Sequence, residues 1–207
     1  MFERALTIVR PRLKMLAVIL SVCLVVLLWL SPSERVLGGA VKLVYLHGAL
    51  VRVAATWLAV SLPINLMVLV DLRRPWALWG EAIIEAVIII WLLHTIFSMV
   101  TTYMTWGVFI AWFEPRTRFT FSLAGALLAV FGITRLVADE RFTHFAFALL
   151  AGVSLWLLPH LGTVQHPLNP IGASPSIAIR LFYVGIWIVA VALSGLLVVW
   201  LATYPGD

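Results

Sequence analysis

The sequence predicts an all-α integral membrane protein with six transmembrane helices and both termini cytoplasmic. Three observations lead there. Hydrophobic residues make up 63% of the chain and charged residues only 11%, whereas a soluble domain carries about a quarter charged residues. The apolar residues come in runs of the length that crosses a bilayer core, about 20 residues, and the mean hydropathy is +1.09. The bases between those runs fall unevenly on two sides, as they do where cationic loops fix helix orientation.

Taken in order, a polar and basic start, Glu3–Lys14, leads into a first span at about 15–31. Ser31-Pro32-Ser33-Glu34 signals a turn, and a short amphipathic segment reaches Lys42. The second span, about 43–70, contains Pro63, which lacks a backbone donor and predicts a kink. Asp71-Leu72-Arg73-Arg74-Pro75 is a tight charged loop before the third span, about 76–102. The stretch 103–117 is aromatic and apolar but closes on Glu114, Pro115 and Arg116. A membrane helix seldom ends so, and Trp and Tyr favour the headgroup level; the stretch predicts an aromatic shelf lying along one interface.

A fourth span follows at about 119–138, Asp139-Glu140-Arg141 turns the chain, and a fifth runs about 142–160. A Gly/Pro/Ser-rich loop, 161–176, precedes the sixth span at about 177–202. The chain 1–207 thus reads as a single six-helix membrane domain, with no soluble domain or repeat left over.

Counting bases by side sets the orientation. Arg4, Arg10, Arg12, Lys14, Arg73, Arg74, Arg135 and Arg141 fall on one side; Arg35, Lys42, Arg116, Arg118 and Arg180 fall on the other. The heavier side is expected in the cytoplasm of a cytoplasmic (inner) membrane. The shelf and the 161–176 loop then both face outward. The net charge of +5 is accounted for by these loops, and no basic patch points to nucleic acid. Cys23 is the single cysteine, which excludes an internal disulfide and a Cys-x-x-Cys-His haem attachment site. The apolar run continues past it to Leu30, so neither a lipoprotein box nor a signal-peptide cleavage is expected and the first span is retained. There is no His-Glu-x-x-His, phosphate-binding loop or Gly-x-Ser-x-Gly, so the chain is not read as an enzyme.

The chemistry gathers toward the outer side. His47 lies about five residues inside the second span, roughly 7 Å below its edge, and Gly48 beside it would let a flat ligand approach the backbone. Such a histidine either bonds a neighbouring helix or serves a ligand. His166 stands in the outer loop on the same side, and two neutral imidazoles suit haem iron or another transition metal. Trp106, Phe109, Trp112 and Phe113 offer flat apolar surfaces, and Arg116 and Arg118 have the fork geometry that clamps carboxylates. An ordinary interfacial belt with bases at a helix end has the same composition. Deeper in, Arg52 and Glu85 both fall near mid-membrane, where a lone charge costs about 3 kcal/mol or more. They are expected to pair, with Glu81 sharing the face of Glu85 at i, i+4. His94 falls at a depth similar to His47, His160 ends the fifth span, and His144 is expected at the inner interface.

Several motifs occur together and in order. Tyr45-Leu46-His47 opens the second span, and Trp106-Gly107 is followed by Trp112, Glu114, Arg116 and Thr117. His166-Pro167 comes late, in an outer loop. Together with six spans, this resembles the haem-handling membrane proteins of cytochrome c maturation, the CcmC/CcsA type with their tryptophan-rich outer loop, from about Val41 to the sixth span. The resemblance implies that His47 and His166 are the metal ligands and that Trp106, Gly107 and Trp112 cradle a transiently bound haem. It further implies membrane partner subunits and a haem-accepting chaperone or apocytochrome. Where the family loop reads Trp-Gly-x-Trp-Trp-x-Trp-Asp-x-Arg-x-Thr, this chain has Val108-Phe109-Ile110 in place of the central tryptophans and an extra residue, Phe113, before the acid. Under this resemblance the chain would be a divergent member with a degraded loop.

Two other readings follow from the same residues. A non-catalytic structural subunit of a membrane complex would keep the fold and lose the ligand. A b-type electron-transfer subunit would hold haem between His47 and His94 inside the bilayer. His160 is a further candidate for the second ligand should His166 not reach.

Overall fold

The computed structural model describes residues 10–35, 37–71, 74–165 and 171–203. Among these, six helices are long and apolar enough to cross a membrane, which makes this a multi-pass membrane protein. They are α1 (Leu13–Leu30), α2 (Val41–Val70), α3 (Arg74–Trp106), α4 (Pro115–Val137), α5 (Glu140–Leu157) and α6 (Ile177–Thr203). A 3-10 turn, Leu158–His160, prolongs α5. The helix ends alternate between two ends of the bundle. Asp71 and the turn at 138–139 lie at one end. The segments 31–35, 37–40, 107–114 and 161–165 lie at the other, here called the shelf end.

Helix boundaries differ most from expectation at the shelf. Residues Tyr103–Trp106 are the last turn of α3, because nothing breaks the helix before Gly107. That glycine has φ +76 and its N–H bonds the Tyr103 carbonyl at 2.9 Å, the left-handed stop that glycine adopts without a Cβ penalty. Pro115 takes the first helical position of α4, where its fixed φ fits and its missing N–H is not needed. The irregular shelf is therefore only 107–114. Helix α2 runs unbroken through Pro63.

Helix α2 is the centre of the bundle and packs on α3, α5 and α6; α3 also packs on α6 and α4. Ala49 and Ala54 on α2, Ala82 and Ala86 on α3, and Ala151 on α5 are buried at these contacts. In lipid the tails are as apolar as leucine, so close backbone approach past small side chains does much of the packing. Helix α1 is different. Leu13 is its one buried side chain, and it leans mainly on α6. Its far end is tied in by Lys42, whose ammonium donates to the Trp29 carbonyl at 2.5 Å.

Near the end opposite the shelf, a polar node crosses three helices. The Asn65 amide donates to the Ser61 carbonyl and hydroxyl, both at 2.8 Å. Its Oδ1 accepts from His144 Nδ1 at 2.6 Å. His144 is fully buried rather than interfacial, because Asn65 and Gly80 make a polar slot for its ring. A Cβ at Gly80 would lie 2.8 Å from Asn65 Oδ1 and 3.1 Å from the imidazole. Since three hydrogen bonds hold the amide, it cannot swing aside. Gly80→Ala is therefore expected to lower the thermal midpoint in detergent. Overpacking costs about 1–3 kcal/mol, more than the ~1 kcal/mol of helix propensity gained. An equal or higher midpoint would show that the node yields.

The expected Arg52–Glu85 pair does not form. Glu85 Oε1 accepts from Arg135 Nη2 at 2.8 Å, and Glu81 Oε2 from Arg135 Nη1 at 2.8 Å. One guanidinium thus forks between two carboxylates, with its plane over Phe131, 4.8 Å from the ring centre. Arg135 reaches them from the last turn of α4. Its long side chain reaches both carboxylates, so they pair with it and not with Arg52, which counting residues from the helix ends places level with Glu85.

Candidate functional site

At the shelf end the bundle opens into a cavity of about 260 Å³. One face of α2 supplies Val44, His47, Gly48, Val51 and Arg52, the i, i+3, i+4, i+7, i+8 positions that share a helical stripe. Helix α3 contributes Trp91, His94 and Trp106, α4 contributes Arg116 and Thr120, and Tyr183 enters from α6. His47 sits six residues into α2, roughly 9 Å along its axis, and Arg52 eleven residues in, roughly 16 Å.

The floor is rigid. Trp91 Nε1 donates to the Thr120 carbonyl at 2.9 Å. His94 is 2% exposed, with Nδ1 3.4 Å from the His47 carbonyl and Nε2 3.4 Å from the Thr120 hydroxyl. In one tautomer Nδ1–H donates to the carbonyl and Nε2 accepts from the hydroxyl, so both ring nitrogens are occupied. The His94 ring lies against that of His47, centres 4.7 Å apart and planes 23° apart. Two axial ligands of one iron point their nitrogens at each other across a macrocycle, and stacked rings leave no room for one between them. His94 therefore holds His47 in place, and the arrangement does not favour the His47–His94 electron-transfer site.

The rim is organised by Glu114, which is 1% exposed although it stands at the N-cap of α4. Its carboxylate makes no cap bond. It accepts from the Gln165 N–H at 2.9 Å and from the Val164 N–H at 3.2 and 3.3 Å. A buried carboxylate is tolerable when hydrogen-bonded in this way, and the positive end of α4 adds to its stability. The effect is to pin 164–165 against the shelf, fifty residues away in sequence. His166, the next residue along the chain, lies outside the described residues.

The other expected site residues divide into two groups. His47, Trp106 and Arg116 line the cavity; Gly107, Trp112 and Arg118 do not. Trp112 is 56% exposed and packs on Phe121, ring centres 5.1 Å apart, while Phe113 lies by Trp106 at 6.2 Å. These rings form an exposed aromatic surface beside the opening. His160 donates from Nδ1 to the Trp156 carbonyl at 2.6 Å and does not line the cavity. Gly48 lines the cavity, and a Cβ there would meet the Tyr183 hydroxyl at 3.2 Å; the glycine makes room for that ring. Arg52 has its guanidinium 5.0 Å from the Tyr183 ring centre. Residues that the sequence reading missed are Thr120, Trp91 and Tyr183. No local pattern sets them apart from the other polar and aromatic side chains on their helices.

Among the described residues no three His, Cys, Asp or Glu side chains come together to hold a metal ion. A metal bound through the described side chains alone does not fit this site. A haem brings four nitrogens of its own and asks the protein only for axial ligands, so His47 with the aromatic and arginine side chains fits that donor set. The cavity is smaller than the roughly 300–1,000 Å³ that encloses a small-molecule ligand. Retention of a macrocycle would therefore rest partly on the exposed rings beside the opening.

No family model matches the chain, and no curated protein matches it at significance.

Proposed function

We propose that the protein binds haem transiently at its shelf end and hands it on for cytochrome c assembly. In this reading the shelf faces outward from the cytoplasmic membrane, both termini are cytoplasmic, and the protein is a carrier, not an enzyme. His47 ligates the iron from α2 and His166 from the loop, while Trp106 and Arg116 hold the macrocycle. The family resemblance of the His47, Trp106–Thr117 and His166 motifs points the same way.

The observation that carries the reading is the Glu114 bridge. It joins the aromatic shelf to the loop residue preceding His166, at the mouth of the cavity that His47 lines. Bound haem would supply the iron; His47 and His166 would hold it, and Trp106 and Arg116 would orient the macrocycle. Partial enclosure suits a carrier, because a fully buried haem is slow to leave. Membrane partner subunits and a haem-accepting chaperone or apocytochrome complete the pathway, and ATP hydrolysis, where used, belongs to another chain.

The test is covalent haem in c-type cytochromes of cells whose own copy is replaced by His47→Ala. Loss of haem-stained cytochrome c, with the variant present in the membrane at normal amount, is expected. Unchanged holocytochrome levels would overturn the proposed function.

A further inference from the structure

We propose that Arg52 is the counter-charge for a carboxylate of the cavity's ligand, so that the site selects flat apolar molecules carrying acid groups. The inference rests on the haem reading only for the choice of a tetrapyrrole as probe. Among the described residues, the carboxylates of Glu81 and Glu85 are held by Arg135, and that of Glu114 faces the amides of Val164 and Gln165. None of them pairs with Arg52. What Arg52 has instead is the face of Tyr183, 5.0 Å away. A ring under one face of a guanidinium fixes its plane and leaves its in-plane N–H fork to meet a planar oxyanion bidentately.

The sequence builds this arrangement from three residues on two helices, Gly48 and Arg52 on α2 and Tyr183 on α6. Gly48 lacks the Cβ that would meet the Tyr183 hydroxyl, so the tyrosine from α6 seats against α2. One turn further along α2, Arg52 lies over that ring. Arg116 adds a second cation to the cavity lining, and the one acid there, Glu114, is committed to the loop. The cavity therefore carries positive charge between aromatic walls, Trp91 and Trp106 among them. A guanidinium this far along a membrane helix is stabilised by an anion that arrives with the ligand. A neutral ligand of the same shape would leave it uncompensated.

Metal-free protoporphyrin IX and its dimethyl ester separate this claim from iron ligation, since neither needs a histidine. Binding to the purified wild-type protein in detergent is read by quenching of tryptophan emission. The diacid is expected to bind about 10- to 100-fold more tightly than the diester. In Arg52→Gln that preference should fall to within about threefold, through loss of diacid affinity alone, while Arg52→Lys keeps part of it. Should Arg52→Gln fail to fold, Tyr183→Leu reads the same claim by releasing the guanidinium from its ring, and a reduced preference is expected. A wild-type preference that survives in these variants, or the absence of any preference in the wild type, overturns the inference. If the diacid binds through Arg52 yet iron protoporphyrin gives no histidine-ligated spectrum, the haem reading fails and the anion site stands.

Discussion

Glu114→Ala is expected to lower haem affinity about 10- to 100-fold, which corresponds to about 1.4–2.8 kcal/mol. The carboxylate receives two backbone N–H groups from the 164–165 segment, and charge-assisted bonds of this kind are worth about 1.5–3 kcal/mol each. Val164 is 67% exposed, so its amide finds water once released, and the cost to global stability stays near 1 kcal/mol, the low end for an unmade bond. The larger consequence is positional, because the segment is freed from the cavity mouth. Glu114→Gln keeps an acceptor without the charge and should show about half the effect, since neutral bonds are roughly half as strong. Hydrogen exchange at the Val164 and Gln165 amides, measured beside haem titration, checks both parts. Unchanged exchange in Glu114→Ala would mean that the bridge does not hold the loop.

His94→Leu separates a positioning role from a ligand role. The leucine keeps the volume but gives up the polar contacts to the His47 carbonyl and the Thr120 hydroxyl. Stability is expected to fall by about 1–3 kcal/mol, the cost of leaving a buried partner unsatisfied. The iron of reconstituted haem should remain histidine-ligated, with its affinity reduced about threefold to tenfold as the His47 ring loses its stacking partner. Loss of ligation in a folded His94→Leu protein would instead make His94 a ligand and restore the b-type reading.

The six helices were legible because apolar runs of bilayer length leave little freedom, and each expected span overlies an observed helix. The ends of the shelf were less so. Tyr103–Trp106 and Pro115–Thr117 carry polar and aromatic residues that look like a loop, yet backbone geometry at Gly107 and Pro115 decides where helix stops and starts. Depth counted along the sequence brought His47 and His94 to one level, and they do meet. It mispaired Arg52 with Glu85, because depth says nothing of which way a side chain faces round the helix. His144 was misjudged for the same reason: its partner Asn65 and the neighbouring Gly80 lie on two other helices. At the cavity, His47, Trp106 and Arg116 were found by chemistry and motif. Glu114 was noted only as the acid of the motif, since its role is a bond to a loop fifty residues on.

The most direct measurement of the central claim is the optical spectrum of the purified protein reconstituted with haem, oxidised and reduced. It is recorded for wild type and for His47→Ala, His166→Ala and His94→Ala. A low-spin spectrum in the wild type and in His94→Ala, lost in His47→Ala and in His166→Ala, is the expected result. No haem spectrum in the wild type in either oxidation state would contradict the account and leave a structural subunit that has kept the fold without the ligand.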